Sequence, residues 1–395
     1  MDPILNPFSP GAGAPPPELV GRGEILEQAR ILFGRTLVGR QEKSLIMTGL
    51  RGVGKTVLLH EIKLRAHEAG FKTIFVEASE DKKLPDLLVP HLRSLLFDLD
   101  RMAGISEKVK RSLRVFRSFV GTPQVTINDV TFGLSYDPEI GIADSGDLQA
   151  DLTSLFICVA EAAKDRSTGV ALLIDEIQYL SEQELAALIM AMHRLQQETL
   201  PFLLIAAGLP TIPALAGSAK SYAERLFSYP DVGALSRVDS DLALQEPVKE
   251  QGIEFSTDAL DQIFLNTDGY PYFVQEWGYQ CWNVAEVTPI GADVVSIATD
   301  RVIPRLDSSF FRVRYDRLTP AERRYLRAMA SLDPGPCRAG DIAEALGAKT
   351  TSLGPVRAKL MSKGMVFSPA HGEMAFTVPL FGDFMKRMMP VLEEW

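Results

Sequence analysis

The feature that most constrains the fold is a glycine-rich loop between an apolar strand and a helix. Residues 44–56 read SLIMTGLRGVGKT, and the last eight of them match the pattern G-x-x-x-x-G-K-T. Gly49, Gly52 and Gly54 permit a tight turn whose backbone N–H groups point inward and surround an anion. This order of residues predicts a phosphate-binding loop, or P-loop.

The residues after the glycines extend this prediction. The Lys55 ammonium suits β- and γ-phosphates, the Thr56 hydroxyl suits Mg²⁺, and the following helix points its positive end at the same phosphates. A glycine-rich turn without a ligand is the alternative, but the strand before and the helix after are the context that phosphate binding requires. The predicted ATP contacts here are Gly49, Gly52, Val53, Gly54, Lys55, Thr56 and Val57, with Thr56 also a Mg²⁺ ligand.

A second acidic motif supports the same site. Residues 170–176 read VALLIDE, an apolar strand that ends in two carboxylates. Asp175 at the tip of a buried strand suits the Mg²⁺ shell, and Glu176 is placed to orient and deprotonate the attacking water. A strand end without chemistry is the alternative, but the P-loop favours the functional interpretation.

Composition excludes several classes of protein. The longest apolar run, residues 202–209, is far too short for a membrane span. Residues 1–17 lack a signal pattern, and their prolines and glycines predict a flexible arm. Three separated cysteines favour a cytoplasmic protein without disulfides; they are Cys158, Cys281 and Cys337.

Charge is unevenly distributed. The chain of 395 residues has a net charge of −10, but residues 301–395 hold 15 Lys and Arg against 10 Asp and Glu. An acidic body with a mildly basic end is compatible with nucleic-acid contact at that end.

Strand and helix patterns alternate through the first part of the chain. Such alternation predicts an α/β fold with a parallel sheet flanked by helices. The predicted strands are 44–48, 72–77, 170–174, 202–207 and 232–238, and the predicted helices are 23–39, 55–69, 86–103, 148–164 and 182–198. Residues 241–300 read as helical.

Residues 106–146 interrupt this alternation and are predicted to be an insertion. Ser106 is a candidate cap for a helix whose apolar face holds Val109, Leu113, Phe116 and Val120. Residues 124–136 alternate like a strand or hairpin. The basic residues of the helix form either a solvated face or a docking surface for DNA or a partner; they are Lys108, Lys110, Arg111, Arg114 and Arg117.

Together with both motifs, the sequence LVGR at residues 19–22 and the later helical segment resemble the AAA+ ATPases. The resemblance covers about residues 18–300 and is strongest to archaeal-type and origin-recognition-like ATPases and to STAND NTPases. It implies ATP hydrolysis, an ATPase domain at 18–240, and a helical lid and linker at 241–317. It also places Val20 and Gly21 near the adenine.

The chain departs from this family at two points. The strand 202–207 leads into AAGLP where a polar sensor residue is usual, and Thr211 is the nearest polar candidate. The lid lacks a G-x-x-R arginine. Residues 269–272 read GYPY instead and resemble the STAND G-x-P motif, which makes Pro271 a candidate base contact; a turn between lid helices is the alternative.

Arg225 lies just before the last predicted core strand, where AAA+ oligomers often carry an arginine finger. The resemblance implies that Arg225 contacts the γ-phosphate of a neighbouring subunit in a homo-oligomer. A surface or salt-bridged arginine is the equal alternative.

Residues 318–395 are predicted to form a separate unit. Thr319 and Glu322 form a capping box around Pro320, helices follow at 339–346 and 351–362, and residues 364–378 alternate like a hairpin. Three helices and a hairpin resemble a winged helix, whose third helix enters the DNA major groove. The candidate contacts to double-stranded DNA are Lys349, Arg357, Lys359 and Lys363.

The sequence thus predicts an ATP-hydrolysing switch of the AAA+/STAND kind, with Glu176, Lys55 and Arg225 as catalytic residues. The γ-phosphate and Mg²⁺ are expected to hold the lid and the winged helix, which hydrolysis releases to change DNA contact. The alternative is a regulatory STAND-type NTPase whose C-terminal domain binds a protein partner.

Overall fold

The computed structural model describes residues 1–11, 16–102, 106–126, 137–332 and 335–392. The chain divides into two compact units. The sheet unit contains residues 22–49 and 55–232, and the helical unit contains the described residues of 1–21, 50–54 and 233–395. The middle of the P-loop therefore groups with the helical unit.

The sheet unit is built on five parallel strands in the order β2-β3-β4-β1-β5. The strands are β1 (Ser44–Thr48), β2 (Phe71–Glu77), β3 (Gly169–Asp175), β4 (Phe202–Gly208) and β5 (Phe227–Ser228). Strands β1, β3 and β4 are buried along their whole length. Continuous apolar runs are typical of parallel strands covered on both faces, and the predicted α/β parallel sheet is confirmed.

Eight α-helices and one 3₁₀-helix (Ile177–Tyr179) of the sheet unit lie within the described ranges. The α-helices are α1 (Gly23–Leu37), α2 (Lys55–Glu68), α3 (Leu84–Arg101), α4 (Glu107–Val120), α5 (Leu148–Asp165), α6 (Glu182–Gln197), α7 (Ile212–Ala219) and α8 (Ala223–Leu226). No described helix of the chain is both long and apolar enough to cross a bilayer.

The last strand was predicted in the wrong place. Strand β5 comprises Phe227–Ser228, and Asp231 adds only an isolated bridge to Thr48. The predicted range 232–238 instead runs into a helix, because the Ser236 hydroxyl accepts a hydrogen bond from the Asp239 N–H at 3.1 Å and caps it. The prediction was wrong because the apolar residues before this helix cap alternate with the period of two that is typical of a strand.

Helix α4 belongs to the core of the sheet unit. Val109, Leu113 and Phe116 are fully buried in the same hydrophobic cluster as residues of α3 and α5. On its polar side, Arg111 and Arg114 pair with Glu139 at 3.0 and 3.5 Å. Local carboxylates therefore balance much of the charge, which favours the solvated face over a docking surface. The hairpin predicted at 124–136 falls largely outside the described residues.

The helical unit contains four helices, predicted to form a lid, and the segment after them. These are α9 (Arg237–Lys249), α10 (Thr257–Thr267), α11 (Pro271–Val284) and α12 (Ala292–Arg305), followed by a π-helical turn (Leu306–Phe311) and α13 (Arg312–Asp316). Buried aromatic side chains dominate this part of the core, with Phe273, Trp277 and Phe311 at most 1% exposed.

The start of the chain differs from the predicted flexible arm. Phe8 is 2% exposed and lies against α11, where a methyl group on Gly278 would come within 2.9 Å of its ring. The Asn6 amide donates to the Tyr279 carbonyl at 3.1 Å, and the Trp282 indole donates to the Asp2 carbonyl at 2.8 Å. The free energy gained by burying the Phe8 ring fixes this segment, even though its prolines and glycines predicted a flexible arm.

Residues 318–392 form the C-terminal part of the helical unit. Its elements are α14 (Pro320–Leu332), β6 (Cys337–Arg338), α15 (Ala339–Ala345), α16 (Thr350–Ser362), β7 (Val366–Phe367), β8 (Glu373–Phe376) and α17 (Phe381–Met388). The strands form an antiparallel sheet in the order β6-β8-β7. The predicted capping box is confirmed, since the Thr319 N–H donates to Glu322 Oε2 at 2.7 Å and the Glu322 N–H donates to Thr319 Oγ1 at 3.4 Å.

Candidate nucleotide-binding site

The P-loop connects β1 to α2 and has the backbone that the glycines predict. Gly52 and Gly54 have φ values of +87° and +92°, a region that other residues rarely occupy. Lys55 is buried, and its Nζ donates to the Gly49 carbonyl at 2.9 Å. The ammonium therefore lies at the first glycine of the predicted phosphate-binding loop.

The two predicted motifs meet in the sheet unit. Thr56 Oγ1, at the start of α2, donates to Asp175 Oδ2, at the end of β3, over 2.6 Å. The Glu176 N–H donates to the other carboxylate oxygen of Asp175 at 2.9 Å. Asp175 is 3% exposed, so this contact lies in a largely desolvated place.

The electrostatics of Asp175 suit a divalent cation. Burial raises the pKa of Asp175 above its ordinary range, even though the hydrogen bonds from Thr56 and Glu176 and the charge of Lys55 act in the opposite direction. A raised pKa means that the surrounding donors do not fully compensate the negative charge. Hydroxyl and carboxylate oxygens are the ligands that Mg²⁺ prefers, so Thr56 and Asp175 fit the predicted metal.

Glu176 has an unusual backbone conformation and a defined partner. Its φ is +51°, in the left-handed region that is uncommon for residues other than glycine. Its carboxylate accepts a hydrogen bond from the Gln178 side-chain amide. Strained backbone of this kind clusters at functional sites, where it directs a side chain.

Gln178 is a site residue that the sequence reasoning missed. Its Oε1 accepts a hydrogen bond from the Leu209 N–H at 3.2 Å, so this one side chain links Glu176 to the end of β4. The predicted polar candidate there, Thr211, is the N-cap of α7 and makes no side-chain capping bond. The signal in the sequence was a polar amide two residues after the Asp-Glu pair.

The remaining predicted residues divide between the units. Arg225 lies exposed on α8, and within the described ranges its guanidinium makes no ion pair or side-chain hydrogen bond. Val20, Gly21 and Pro271 lie in the helical unit with residues 50–54. Contact of these residues with a nucleotide stays a prediction.

The local geometry of the lid motif is informative. Gly269 has a φ of +65°, and a methyl group there would come within 2.2 Å of the Leu235 carbonyl oxygen. Pro271 then occupies the first position of α11, where proline costs no hydrogen bond. The turn between α10 and α11 thus explains both the glycine and the proline, which agrees with the alternative of a turn between helices.

The candidate DNA contacts differ in their environments. Lys349 and Lys359 are exposed and Arg357 is half-buried. Lys363 is engaged within the fold, because its Nζ donates to Glu322 Oε2 at 2.7 Å and to the Arg317 carbonyl at 3.0 Å. Lys363 is therefore less available than Lys349 and Lys359, and DNA contact by these residues stays a prediction.

Comparisons with known proteins agree with this geometry. Residues 18–205 match the model of the AAA ATPase domain, and residues 308–385 match a domain of unknown function, DUF8462. None of the curated proteins matches the sequence significantly.

Several solved structures are similar to this chain. The Walker-type ATPase PABY2304 of Pyrococcus abyssi is 13% identical with a TM-score of 0.61, over 93% of this chain and 96% of that one. The RuvB Holliday junction branch migration motor of Thermotoga maritima is 15% identical with a TM-score of 0.45, over 91% and 92%. The ORC1 protein of Aeropyrum pernix, solved in complex with DNA, is 15% identical with a TM-score of 0.44, over 98% and 96%. The similarity to the Pyrococcus abyssi protein shows the α/β fold of the P-loop NTPases, and residues 18–205 are similar to the AAA ATPase domain.

Proposed function

We propose that this protein is an ATP-binding and ATP-hydrolysing switch of the AAA+/STAND kind that couples its nucleotide state to contact with double-stranded DNA through residues 318–395. The observation that carries the proposal is the 2.6 Å hydrogen bond between Thr56 and Asp175, which joins the two motifs of a phosphate and metal site. The match of residues 18–205 to the AAA ATPase domain supports it.

The proposed reaction assigns each residue a separate task. The N–H groups of the P-loop and the Lys55 ammonium bind the phosphates, and Glu176 accepts the proton of the attacking water. Gln178 holds the Glu176 carboxylate in place. Bound Mg²⁺ would supply positive charge to the transferring phosphoryl group, held by Thr56 and Asp175.

A contact inside the helical unit supports coupling to the C-terminal part. A methyl group on Gly364, which follows α16, would come within 3.0 Å of Arg51 Nη2. Arg51 belongs to the predicted P-loop. If bound phosphate changes the conformation of this loop, the change acts on Gly364, which lies just after α16.

The element order of residues 318–392 supports a winged helix. The order is α14, β6, α15, α16, β7, β8 and α17, so a three-stranded antiparallel sheet follows and flanks three helices, of which α16 is the third, and a fourth helix ends the segment. Lys359 lies on α16 and Lys349 is its N-cap. Both lysines are exposed, and they are the proposed contacts to DNA phosphates.

The second candidate function is a switch that binds a protein partner. It is favoured by the low number of available cations on α16, since Lys363 is paired with Glu322. Duplex DNA binding, measured over a range of salt concentrations, separates the two functions. The double variant Lys349→Gln/Lys359→Gln should weaken DNA binding and reduce its salt dependence, whereas absent or salt-independent binding of the wild type supports the protein partner.

Nucleotide binding is tested with Lys55→Ala and the control Lys63→Ala, which changes a lysine on the same helix. Loss of a charge-assisted contact should weaken ATP binding by about ten- to a hundredfold, and the control should bind like the wild type. Equal ATP affinity in both variants and the wild type would reject the assigned phosphate site.

The arginine finger is tested by mixing inactive partners. If Arg225 acts in a neighbouring subunit, Arg225→Ala protein should regain ATPase activity when mixed with Lys55→Ala protein. Failure to recover activity at every ratio would assign Arg225 to the surface.

A further inference from the structure

The end of strand β4 connects to the first residue of the P-loop. In the sheet, Gly208 pairs with Thr48, and its carbonyl accepts a hydrogen bond from the Gly49 N–H at 3.1 Å. The Gly49 carbonyl in turn accepts the hydrogen bond from Lys55 Nζ. All four residues belong to the sheet unit. The backbone of Gly208 is therefore linked to the predicted phosphate-binding lysine through a single residue.

A second set of contacts links Gly208 to the turn after Glu176. A methyl group built on Gly208 would come within 2.8 Å of Gln178 Oε1 and within 2.9 Å of Ile177 Cγ2. Both atoms belong to the 3₁₀-helix Ile177–Tyr179, which follows Glu176 directly. Because atoms in a protein interior are already closely packed, position 208 has no room for a side chain while this turn keeps its place.

The orientation of Glu176 depends on the same turn. The Gln178 amide donates a hydrogen bond to the Glu176 carboxylate, and Gln178 Oε1 accepts one from the Leu209 N–H at 3.2 Å. Ile177 is fully buried in the hydrophobic cluster of the sheet unit, which anchors the turn. The Gln178 side chain therefore fills the space beside Gly208 and is bonded at both of its polar atoms.

The backbone of Gly208 does not explain why this residue is a glycine. Gly208 lies in a buried strand, and its φ is outside the left-handed region that favours glycine. Glycine weakens a strand and often marks a place where another group approaches closely. At this position the approaching group is the side chain of Gln178.

We propose that Gly208 is a positioning residue that fixes the predicted base Glu176 relative to the predicted phosphate ligand Lys55. This inference rests on the proposed function. The Gly208 carbonyl holds the start of the P-loop, and the missing side chain leaves the space in which Gln178 holds the Glu176 carboxylate. Hydrolysis requires alignment of the water with the terminal phosphate, and a displacement of about 1 Å can lower the rate about a hundredfold.

The two links of Gly208 have different chemistry and can be separated. The bond to Gly49 uses a backbone carbonyl, which every residue has. The space for Gln178 exists only when residue 208 has no side chain. A methyl group at position 208 should therefore displace Gln178 and disturb Glu176, while the phosphate contacts of Lys55 stay intact.

The test is Gly208→Ala in the full chain, measured by steady-state ATPase activity and by ATP affinity in the presence of Mg²⁺. The kcat should fall about tenfold or more, because Glu176 loses its alignment, while the ATP affinity should stay that of the wild type. Gly217→Ala on α7 is the matched control, since a methyl group there meets nothing within 4 Å among the described residues. This control should keep the wild-type kcat.

A double-variant cycle tests whether the effect passes through Gln178. Gln178→Ala removes the atom that lies closest to the added methyl group. Gly208→Ala should therefore lower kcat much less in the Gln178→Ala protein than in the wild type, because the two changes act on one contact. Losses that simply multiply would contradict the inference.

The same cycle covers the case in which Gly208→Ala alone does not fold. A folded Gln178→Ala/Gly208→Ala protein with the kcat of Gln178→Ala would then support the inference. If the double variant also fails to fold, Gly208 serves only the packing of Ile177, and the inference is wrong.

Unchanged kcat in Gly208→Ala, or a loss of kcat matched by an equal loss of ATP affinity, would overturn this inference while leaving the proposed function intact. Failure of the proposed function has a different signature, because Lys55→Ala would then bind ATP as tightly as the wild type.

Discussion

Asp175 in the sheet unit and Glu322 in the C-terminal part are both buried carboxylates, 3% and 1% exposed. Burial raises the pKa of Asp175 and its hydrogen bonds do not offset it. Burial also acts to raise the pKa of Glu322, but the hydrogen bonds from Lys363 and Thr319 outweigh it and lower that pKa. The negative charge of Asp175 is therefore undercompensated, whereas the charge of Glu322 is compensated by Lys363, although Glu322 Oε1 has no hydrogen-bond partner among the described residues.

We propose that this difference separates a functional carboxylate, Asp175, from a structural one, Glu322. A fold that keeps an undercompensated buried charge gives up stability, which is typical of a site that binds a charged ligand. The lysine and the backbone N–H that contact Glu322 compensate its charge within the fold. Changes around Asp175 should therefore alter chemistry, whereas changes around Glu322 should alter stability.

The largest expected effect is on turnover at the Asp175 site. Glu176→Gln should lower kcat by about 10²- to 10⁴-fold, because the amide cannot accept a proton from water, while bound ATP is retained. The measurement is steady-state ATPase activity together with ATP retention. Glu182→Gln, at the exposed start of α6, is the control. Unchanged turnover in Glu176→Gln would remove that carboxylate from the reaction.

The next effect is on stability at the Glu322 site. Lys363→Met should destabilise residues 318–392 by about 2 kcal/mol, because Glu322 is left buried without its cation. Native-state hydrogen exchange of α14 and α16 measures the loss region by region. Lys359→Met, on the same helix but exposed, should change stability by less than about 0.5 kcal/mol. Equal losses of stability in Lys363→Met and Lys359→Met would contradict the stabilising role of the Lys363–Glu322 pair.

A smaller effect is expected from the residue that positions Glu176. Gln178→Ala removes the amide that bonds Glu176 and the acceptor that bonds the Leu209 N–H, so kcat should fall about tenfold. The KM for ATP should stay unchanged, because the Gln178 side chain bonds Glu176 and Leu209 and neither is a predicted phosphate ligand. Gln197→Ala, an exposed glutamine on α6, is the control. A change in KM alone would assign Gln178 to binding.

The two carboxylates should also respond to acid in a defined order. Because the pKa of Asp175 is raised, its metal-binding charge is lost at a higher pH than for an ordinary aspartate. Because the pKa of Glu322 is lowered, its contribution to stability is present above the unfolded-state pKa and is lost only as pH falls through the lower folded value. Mg²⁺-dependent ATP binding should therefore weaken before residues 318–392 unfold. An acid titration that follows both ATP binding and the folding of residues 318–392 tests this order. Loss of both at the same pH would contradict it.

The sequence by itself determined the parallel sheet, the P-loop, the Asp-Glu strand and the capping box at Thr319. Each of these is a local pattern, in which a few neighbouring residues set the backbone conformation or the hydrophobic period. The pairing of Thr56 with Asp175 was also foreseeable, although 119 positions separate them, because the two motifs have known complementary tasks.

Other contacts join polar residues that are far apart in the sequence and belong to no recognised motif. Only the tertiary structure decided which of these residues meet. Gln178 contacts Leu209 from 31 positions away, and Lys363 contacts Glu322 from 41 positions away. The same holds for the approach of Tyr270 to Gly52. These contacts depend on how helices and strands pack, and packing is set by the sum of many buried surfaces rather than by the residues that finally touch.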